Sequence, residues 1–543
     1  MENNKRGLVD SSRTSNNDPH SINRKIYKIE RANYSRFRIA SELKNVKTVV
    51  EQKIETAPKE LKDKLLEVEE IIGNVELPGA GSLKKYTLKI KKPIKELIGS
   101  IAFKITGSLI ATSLIFGGYI FALSYNNLNK VLRGGAESAV ALQRNVDPSL
   151  LRTEGNGRVN VLLMGRGGGN HDGPDLTDTI MIASIDPVAN SITLLSIPRD
   201  LWVSVPGHGS MKINAVWENG EFAAEGRIAP GSTDPKVIES GYKLIDQTIQ
   251  DITGLNIDYN ALVDFQAFKD AVDSIGGVTI NVPTDLYDPN MAWENHNNPL
   301  LASAGIQHFN GDQALRYSRS RETSSDFARG QRQRDLMVAI KQKAQNMDTL
   351  SNPVKISELF NSFGNNVATD MGLSDAEKLF SIIKKIDIAN INSVGLTDKT
   401  SRLITTGPMN GQSIDLPLAG LYNYGNIKTF IRTLLPDPYI KKENARILVM
   451  NGTNDPSILN STVETLKAYG YNVVGTGNTK NNNYAATSIV DLSNSAAPYS
   501  SHYLENRLNA TILKNLPENI DTATTNANFV IILGNNETIS SQN

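Results

Sequence analysis

The chain has 543 residues, 39% hydrophobic and 21% charged, a balance that excludes collagen-like and wholly disordered chains and, at this length, predicts several domains. It contains no cysteine, which excludes disulfide scaffolds, thiolate metal sites and cysteine nucleophiles. The net charge of +0 hides an asymmetry, because residues 1–104 carry 22 Lys and Arg against 14 Asp and Glu and the remainder is correspondingly acidic.

Residues 1–104 are interpreted as a basic cytoplasmic tail. Residues 1–35 are rich in Asn, Ser, Arg and Lys and have hardly any apolar periodicity, which predicts disorder. Residues 38–72 place a narrow apolar seam among charged residues, which predicts a helix. That helix either stands alone in solvent, pairs with another helix or lies near the membrane.

A membrane-spanning helix is predicted over residues 105–125. These 21 residues carry no charge and would extend about 30 Å as a helix, which matches the hydrocarbon thickness. A buried core helix is the alternative, but such helices are usually shorter and keep a polar stripe. Basic residues concentrate before the span, namely Lys84, Lys85, Lys89, Lys91, Lys92, Lys95 and Lys104, against Lys130 and Arg133 after it. We therefore expect a single-pass protein of the cell membrane with a cytoplasmic N-terminus, and an extracytoplasmic stalk at 126–155.

Short apolar runs between turn residues predict an α/β domain at residues 156–350. Its predicted strands are 159–164, 179–185, 191–197 and 278–282, and its predicted helices are 237–252, 265–275 and 331–347. Residues 351–444 show helical patterns at 375–386 and 426–435. The sequence leaves open whether they complete this domain or form a helical extension or linker.

A second, smaller α/β domain is predicted at residues 445–536, followed by a polar tail at 537–543. Its predicted strands are 446–452, 471–474, 487–491 and 529–534, and its predicted helices are 459–469 and 500–513.

The predicted hairpin of residues 179–197 brings an acid and a base together. If Thr179 pairs with Ile197, Asp178 comes beside Arg199, and Pro198 ends the strand so that Arg199 and Asp200 project from the margin of the sheet. A functional site and an ordinary strand-end salt bridge fit this pattern equally well.

The glycine-rich loop at residues 165–177 is a weak anion-binding signal. Its sequence, GRGGGNHDGPDLT, leads into a strand instead of a helix and does not match a dinucleotide fingerprint. No GK[ST], HExxH or GxSxG motif occurs in the chain. The sequence therefore lacks the motifs typical of nucleotide-binding P-loops, zinc proteases and α/β-hydrolases.

Residues 314–335 hold a cluster of arginines without a lysine, namely Arg316, Arg319, Arg321, Arg329, Arg332 and Arg334. A guanidinium grips phosphate oxygens through two parallel hydrogen bonds and stays charged, which suits a diphosphate at the edge of an apolar pocket. A helix beginning near Asp326 would place Arg329, Arg332 and Gln333 on one face with that carboxylate. A solvated basic face is the simpler alternative, and the expected outside location argues against nucleic acid.

Asp178 and Asp326 could share a Mg²⁺ ion that also holds phosphate oxygens, because Mg²⁺ commonly uses one or two carboxylates with substrate phosphate. Sequence spacing does not establish that the two carboxylates meet.

Several segments together resemble the LytR-CpsA-Psr (LCP) family of membrane-anchored cell-envelope proteins over residues 158–347. They are VNVLLMG, LTDTIMIASIDP, LLSIPRDLWV, KINAVWENG, FKDAVDSIGGVTINVP, FNGDQALRYSRSR and DFARGQRQR. RILVMNGTND, LKAYGYNVV and NFVIILG are similar to the LytR C-terminal accessory domain. The resemblance implies an LCP-type α/β fold, with a mixed-sheet α-β-α core and a small C-terminal α/β domain.

The same resemblance implies an extracytoplasmic phosphotransferase that moves a glycopolymer from a polyprenyl-diphosphate carrier to a peptidoglycan hydroxyl, forming a phosphodiester. In the family, the aspartates that match Asp178 and Asp326 bind Mg²⁺ near the diphosphate. The residues implied to surround the diphosphate are Arg199, Arg319, Arg321, Arg329, Arg332 and Gln333. Asp200 is a candidate catalytic base or a residue that orients Arg199. Many members have a short turn where this chain has the glycine-rich loop, so Arg166 adds a phosphate contact or the loop reshapes the acceptor entrance.

Two other functions stay open at this point. One is a non-catalytic polyprenyl-diphosphate binder that regulates envelope synthesis. The other is a lipid diphosphate hydrolase, in which water replaces the sugar hydroxyl.

Overall fold

The computed structural model describes residues 136–143, 145–169, 173–225, 234–321, 326–345, 366–398, 401–480, 483–517, 520 and 526–536. The predicted cytoplasmic tail, membrane span and C-terminal tail lie outside these residues. Within the described part of the chain, no helix has the length and apolar character needed to cross a membrane.

Nineteen strands are described. They are β1 Val159–Arg166, β2 Thr177–Asp186, β3 Ser191–Ile197, β4 Trp202–Val205, β5 Gly209–Lys212, β6 Tyr259–Asp264, β7 Val278–Val282, β8 Leu286–Tyr287, β9 Leu300–Ala302, β10 Gly305–Phe309, β11 Val367–Thr369, β12 Ile391–Gly395, β13 Ile404–Met409, β14 Gln412–Pro417, β15 Arg446–Asn451, β16 Asn472–Asn478, β17 Ser488–Asp491, β18 Thr511–Leu513 and β19 Phe529–Leu533.

Ten α-helices are described, together with short 3₁₀ helices. The α-helices are α1 Val216–Glu225, α2 Pro235–Thr253, α3 Phe265–Ser274, α4 Gly311–Arg319, α5 Asp326–Gln345, α6 Leu373–Lys385, α7 Gly425–Leu434, α8 Pro438–Glu443, α9 Pro456–Ala468 and α10 Pro498–Leu508. The 3₁₀ helices are Val140–Leu142, Pro148–Leu150, Ile213–Ala215, Pro289–Asn295 and Ile388–Asn390.

The first domain is built on a six-stranded sheet with the strand order β11-β6-β1-β2-β3-β12. Strands β1, β2 and β3 run antiparallel in sequence order, whereas β6 lies parallel to β1 and β12 parallel to β3. The predicted hairpin is therefore confirmed. Its register differs by one residue, because Ile180 and not Thr179 lies opposite Ile197.

Helices cover both faces of this sheet. On one face, Leu162, Ile182 and Leu195 are fully buried beneath α1, α2 and α7. On the other face, Met181 and Leu194 belong to a cluster with residues of α5 and α6. Because successive side chains of a strand point to opposite faces, each strand contributes to both layers. The predicted mixed-sheet α/β core is confirmed.

The segment 351–444, which the sequence left undecided, supplies both edge strands of this sheet. β11 pairs with β6, and β12 pairs with β3. Arg334, whose side chain is buried, donates hydrogen bonds to Ser196 Oγ of β3 and Ser393 Oγ of β12. A domain boundary at residue 350 therefore cuts through the fold, because two strands follow it.

The C-terminal domain contains a five-stranded sheet in the order β16-β15-β19-β17-β18. β15 lies parallel to both of its neighbours, and β17 runs antiparallel to β19. All five residues of β19 are buried, as expected for a central strand covered on both faces. The predicted helix over 500–513 is wrong at its end: Asn509 adopts a left-handed conformation (φ 43°), so α10 stops at Leu508 and β18 follows.

Residues 136–143 and 145–158, which precede β1 and include the described part of the predicted stalk, contact both domains. Ser138 Oγ donates to Asp375 Oδ1 of the first domain at 2.9 Å. Further along, Arg507 of α10 donates from Nε and Nη2 to the two carboxylate oxygens of Glu154. Tyr471 donates to the same carboxylate at 2.9 Å. The segment therefore links the two domains through partly buried polar contacts.

Candidate active site

A cavity of about 650 Å³ opens between the six-stranded sheet and helices α3, α4 and α5. Ten of its lining residues are apolar: Leu163, Met164, Met181, Val263, Phe265, Phe268, Met291, Leu315, Leu336 and Met337. Seven are charged: Asp178, Arg199, Asp264, Asp288, Arg319, Arg321 and Arg329. Met181 and Leu336 are at most 2% exposed, whereas the Arg321 side chain is 45% exposed. The cavity thus combines a buried apolar wall with charged groups. Four of these are partly exposed, namely Asp178, Arg199, Arg319 and Arg321, whereas Asp264, Asp288 and Arg329 are buried.

Asp178 and Arg199 meet at this opening, as the hairpin predicted. Arg199 Nη1 donates a hydrogen bond to Asp178 Oδ1 at 2.6 Å, and Arg199 Nε donates to Asp200 Oδ2 at 3.3 Å. Burial alone would lower the pKa of Arg199, but the charges of Asp178 and Asp200 outweigh burial and raise it. The guanidinium is therefore permanently charged and held from two sides.

Asp200 lies behind the arginines and does not line the cavity. Its carboxylate accepts hydrogen bonds from Arg199, from Lys212 Nζ at 2.8 Å and from Arg321 Nη2 at 3.4 Å. Burial raises the pKa of Asp200, but the hydrogen bond from Lys212 and the three positive charges outweigh burial and lower it. A carboxylate in this setting is a weak base, so the geometry favours the orienting role over the catalytic base.

Arg319 is held at the cavity by two contacts that the sequence did not predict. Its Nη1 donates to both carboxylate oxygens of Glu294, at 3.1 and 2.9 Å. Its guanidinium lies 4.6 Å from the ring centroid of Phe265. The ion pair and the cation–π contact together fix the orientation of this arginine.

Helix α5 presents Arg329 and Gln333 to the cavity. Gln333 Nε2 donates to Thr179 Oγ1 of β2 at 3.0 Å, which ties the helix to the strand that carries Asp178. The described part of this helix begins at Asp326, five residues before the predicted start at residue 331, and the side chain of Asp326 lies outside the described residues.

Arg332 does not reach the cavity, contrary to the predicted shared face. It is 8% exposed and donates from Nε to Tyr317 O at 2.8 Å and from Nη2 to Ser320 O. At about 100° per residue, Arg332 lies about 100° around the helix from Gln333. It therefore ties α5 to the end of α4.

Asp178 suits a hard cation, although the described residues do not complete a site. Its Oδ1 accepts from Arg199 and, at 3.4 Å, from Asn214 Nδ2, while no described residue donates to Oδ2. Among the described residues, no group of three His, Asp or Glu side chains could hold a metal ion. Magnesium binding by Asp178 and Asp326 stays a prediction.

Arg166 does not contact the cavity either. Its guanidinium is buried, donates to Asp175 Oδ1 at 2.8 Å and lies 5.3 Å from the ring of Trp217. Nearby, the pKa of Glu221 is raised to about 8, mainly because the group is buried and to a smaller extent because Asp175 is negatively charged. Arg166 thus fastens the base of the glycine-rich loop, and a phosphate contact from it is not supported.

Sequence reasoning missed several residues that line the cavity or contact its charged groups, among them Lys212, Asn214, Asp288 and Glu294. Asp288 lines the cavity and accepts hydrogen bonds from Ser320 Oγ at 2.8 Å and from the Arg321 backbone N–H at 3.0 Å. Lys212 and Asn214 belong to the KINAVWENG segment, so their position was visible in the sequence although their partners were not.

Comparison with known proteins assigns the chain to a family. The LytR_cpsA_psr family model matches residues 124–414, more than half of the sequence. The chain belongs to the LytR_cpsA_psr family. A second model, described as LytR cell envelope-related transcriptional attenuator, matches residues 444–536. The resemblance inferred from the motifs is confirmed for both parts.

Two curated relatives match more than half of this chain over most of their own length. Polyisoprenyl-teichoic acid–peptidoglycan teichoic acid transferase TagT of Bacillus subtilis is 26% identical over 321 residues, 58% of this chain and 88% of TagT. The TagU transferase of the same description from Oceanobacillus iheyensis is 29% identical over 295 residues, 51% of this chain and 80% of TagU. A solved structure described as TagT bound to LIIa-WTA is 23% identical, covers 56% of this chain and 98% of that one, and has a TM-score of 0.41. The prediction of an LCP-type transferase enzyme is confirmed by the family match and by the two curated relatives.

Proposed function

We propose that this LytR_cpsA_psr protein transfers a glycopolymer from a polyprenyl-diphosphate carrier to a hydroxyl of peptidoglycan. The observation that carries the proposal is the cavity in which ten apolar side chains adjoin the partly exposed Arg199, Arg319 and Arg321. A polyprenyl diphosphate needs these two surfaces side by side, because its chain is apolar and its head group carries concentrated negative charge. The names of the relatives TagT and TagU, polyisoprenyl-teichoic acid–peptidoglycan teichoic acid transferases, support the same class of donor and acceptor.

The proposed reaction is a phosphoryl transfer. An acceptor hydroxyl oxygen forms a bond to the phosphorus that carries the glycopolymer, and the bond from that phosphorus to the bridging oxygen breaks. The products are a phosphodiester between glycopolymer and peptidoglycan, a polyprenyl monophosphate and one proton. Negative charge builds up on the departing phosphate, so fixed positive groups accelerate the reaction by stabilising that charge.

Arg199 is the residue best placed for this task. It lines the cavity, carries a permanent charge and is held by Asp178 and Asp200, so little reorganisation is needed when charge develops. Asp200 also contacts Arg321, so one carboxylate orients two cavity arginines. We assign Asp200 as a positioning residue and leave proton removal from the acceptor without a dedicated base.

Asp178 and Asp326 are the residues that would hold a magnesium ion. The second oxygen of Asp178 fits this role, because carboxylate oxygens are preferred ligands and no described residue donates to it. When bound, such an ion would neutralise diphosphate charge beside the arginines.

The proposal places the cavity outside the cell, where lipid-linked polymer and peptidoglycan meet. The charge bias around residues 105–125 supports this orientation and a membrane anchor. Protease added to intact, wall-stripped cells should digest the domains after residue 135 and spare an epitope placed before Lys84. The reverse pattern would contradict both the orientation and the transferase proposal.

The three candidate functions, transferase, hydrolase and regulator, differ in whether polyprenyl monophosphate is released and in whether its release needs the acceptor. The full chain should be incubated in detergent with a labelled polyprenyl-diphosphate glycan and Mg²⁺, with and without peptidoglycan oligomers. A transferase releases polyprenyl monophosphate only when the acceptor is present. Equal release without acceptor would identify a hydrolase, and binding without release in either mixture would favour the regulator.

A further inference from the structure

The exposure of Trp293 is unusual for its residue type. The chain has three tryptophans: Trp217 is fully buried, Trp202 is partly buried and Trp293 is 73% exposed. An indole ring carries a large apolar area, and tryptophan is typically buried or placed in a binding interface. The position of this ring therefore needs a reason beyond folding.

Trp293 does not line the cavity, but it belongs to an element that does. It belongs to the 3₁₀ helix Pro289–Asn295, in which residues three apart lie above one another. Asn290, three residues earlier, and Met291 line the cavity, and Glu294 binds the cavity residue Arg319. Trp293 is thus flanked on both sides by residues fixed at the cavity and lies on the face of the helix that Asn290 shares.

The support of Trp293 is anchored on several sides. Arg316 Nη1 donates to Glu294 O at 3.2 Å. Asn295 Nδ2 donates to Leu300 O at 2.9 Å, which closes the loop that follows the 3₁₀ helix. A ring that is already held in place loses little conformational freedom on binding, so little of the free energy gained from its contacts is lost to ordering.

We infer that Trp293 is a stacking platform for a pyranose ring of the glycan that is handled at the cavity. The face of an aromatic ring is negative, so it attracts the polarised C–H groups on the apolar face of a sugar. The residues that follow Trp293 are Glu, Asn, His, Asn and Asn, whose amide and carboxylate groups match sugar hydroxyls. A membrane-interface role fits less well, because this stretch contains neither an aliphatic residue nor a lysine.

The platform rests on the proposed function, because that function brings a glycan to the cavity. A pyranose ring could come from the donor polymer or from the peptidoglycan acceptor, and both present the same chemistry to an indole face. A kinetic experiment on each substrate separates these two sources.

The kinetic test uses the full chain in detergent with a polyprenyl-diphosphate glycan donor and peptidoglycan oligomers. Trp293→Ala should raise KM about tenfold for whichever substrate stacks on the ring, as loss of one stacked ring does elsewhere. Trp293→Tyr should restore most of that loss. The matched control is Ile306→Ala, since Ile306 is 79% exposed on β10 and does not line the cavity. An unchanged KM for both substrates in Trp293→Ala would overturn the inference.

A fluorescence test needs no transfer activity, so it separates failure of the platform from failure of the proposed function. The emission of wild type minus that of Trp293→Phe reports on Trp293 alone. Addition of chitotetraose, a soluble tetramer of N-acetylglucosamine, should shift this difference emission to shorter wavelength. Lack of any change with the sugar, or quenching of the difference signal by vesicles of brominated phosphatidylcholine, would overturn the platform, the latter in favour of a membrane contact.

Discussion

Replacement of Arg199 by lysine tests the charged part of the site. The guanidinium binds Asp178 at 2.6 Å through Nη1 and Asp200 at 3.3 Å through Nε. A lysine ammonium is a single point and cannot hold both carboxylates while presenting two parallel donors to a diphosphate. The structure therefore predicts that Arg199→Lys is damaging although it keeps the charge.

The expected size follows from one lost charged hydrogen bond. Such a bond contributes about 1.5–3 kcal/mol, which corresponds to a decrease in kcat/KM of about 10- to 150-fold. The assay is transfer of labelled lipid-linked glycan to peptidoglycan oligomers by the full chain. Arg152→Lys is the matched control, because Arg152 is exposed and does not line the cavity. A kcat/KM for Arg199→Lys within twofold of wild type would refute the two-sided contact.

Three further outcomes follow from named contacts. Asp178→Ala and Asp326→Ala should each abolish Mg²⁺-dependent transfer with little change in thermal midpoint, and wild-type turnover in either would remove the proposed metal site. Burial raises the pKa of Asp246 to about 7, so the folded state loses stability as the pH rises from about 4 to about 7. Asp246→Asn removes the buried charge and should therefore raise the thermal midpoint more at pH 8 than at pH 4. Equal increases at the two pH values would contradict this. Glu154→Gln and Arg507→Gln should each lower the free energy of unfolding in denaturant by about 3–5 kcal/mol, because each leaves the partner charge buried and unpaired. The double variant should lose much less than the sum of the two single losses, whereas strict additivity would mean that the pair is not coupled.

Local patterns predicted the parts of the fold that neighbouring residues determine. The turn at residues 187–190 joins two apolar runs, so the antiparallel hairpin and the meeting of Asp178 with Arg199 could both be read from the sequence. Pairing over long separations was not readable: β12 lies beside β3 although about 200 residues separate them, and β11 has only three residues.

The same distinction holds within the site. The arginine cluster was visible because its members are close in sequence, but their partners are distant. Glu294 binds Arg319 from a 3₁₀ helix, and no apolar periodicity in the sequence predicts that helix. Arg332 was expected at the diphosphate, yet two backbone carbonyl groups bind it. A buried arginine and a ligand-binding arginine have the same sequence signature, and only the packing of α4 against α5 separates them.

The central claim is that the phosphate next to the glycan travels with it to peptidoglycan. The direct measurement uses two lipid-linked donors with the isotopic label either in the phosphate that carries the glycan or in the phosphate attached to the polyprenyl chain. After incubation with the full chain, Mg²⁺ and peptidoglycan oligomers, the acceptor is isolated and digested. We expect the first label in a glycan–peptidoglycan phosphodiester and the second label on the polyprenyl monophosphate. Recovery of the first label in a free glycan phosphate, or of either label in unreacted donor only, would contradict it.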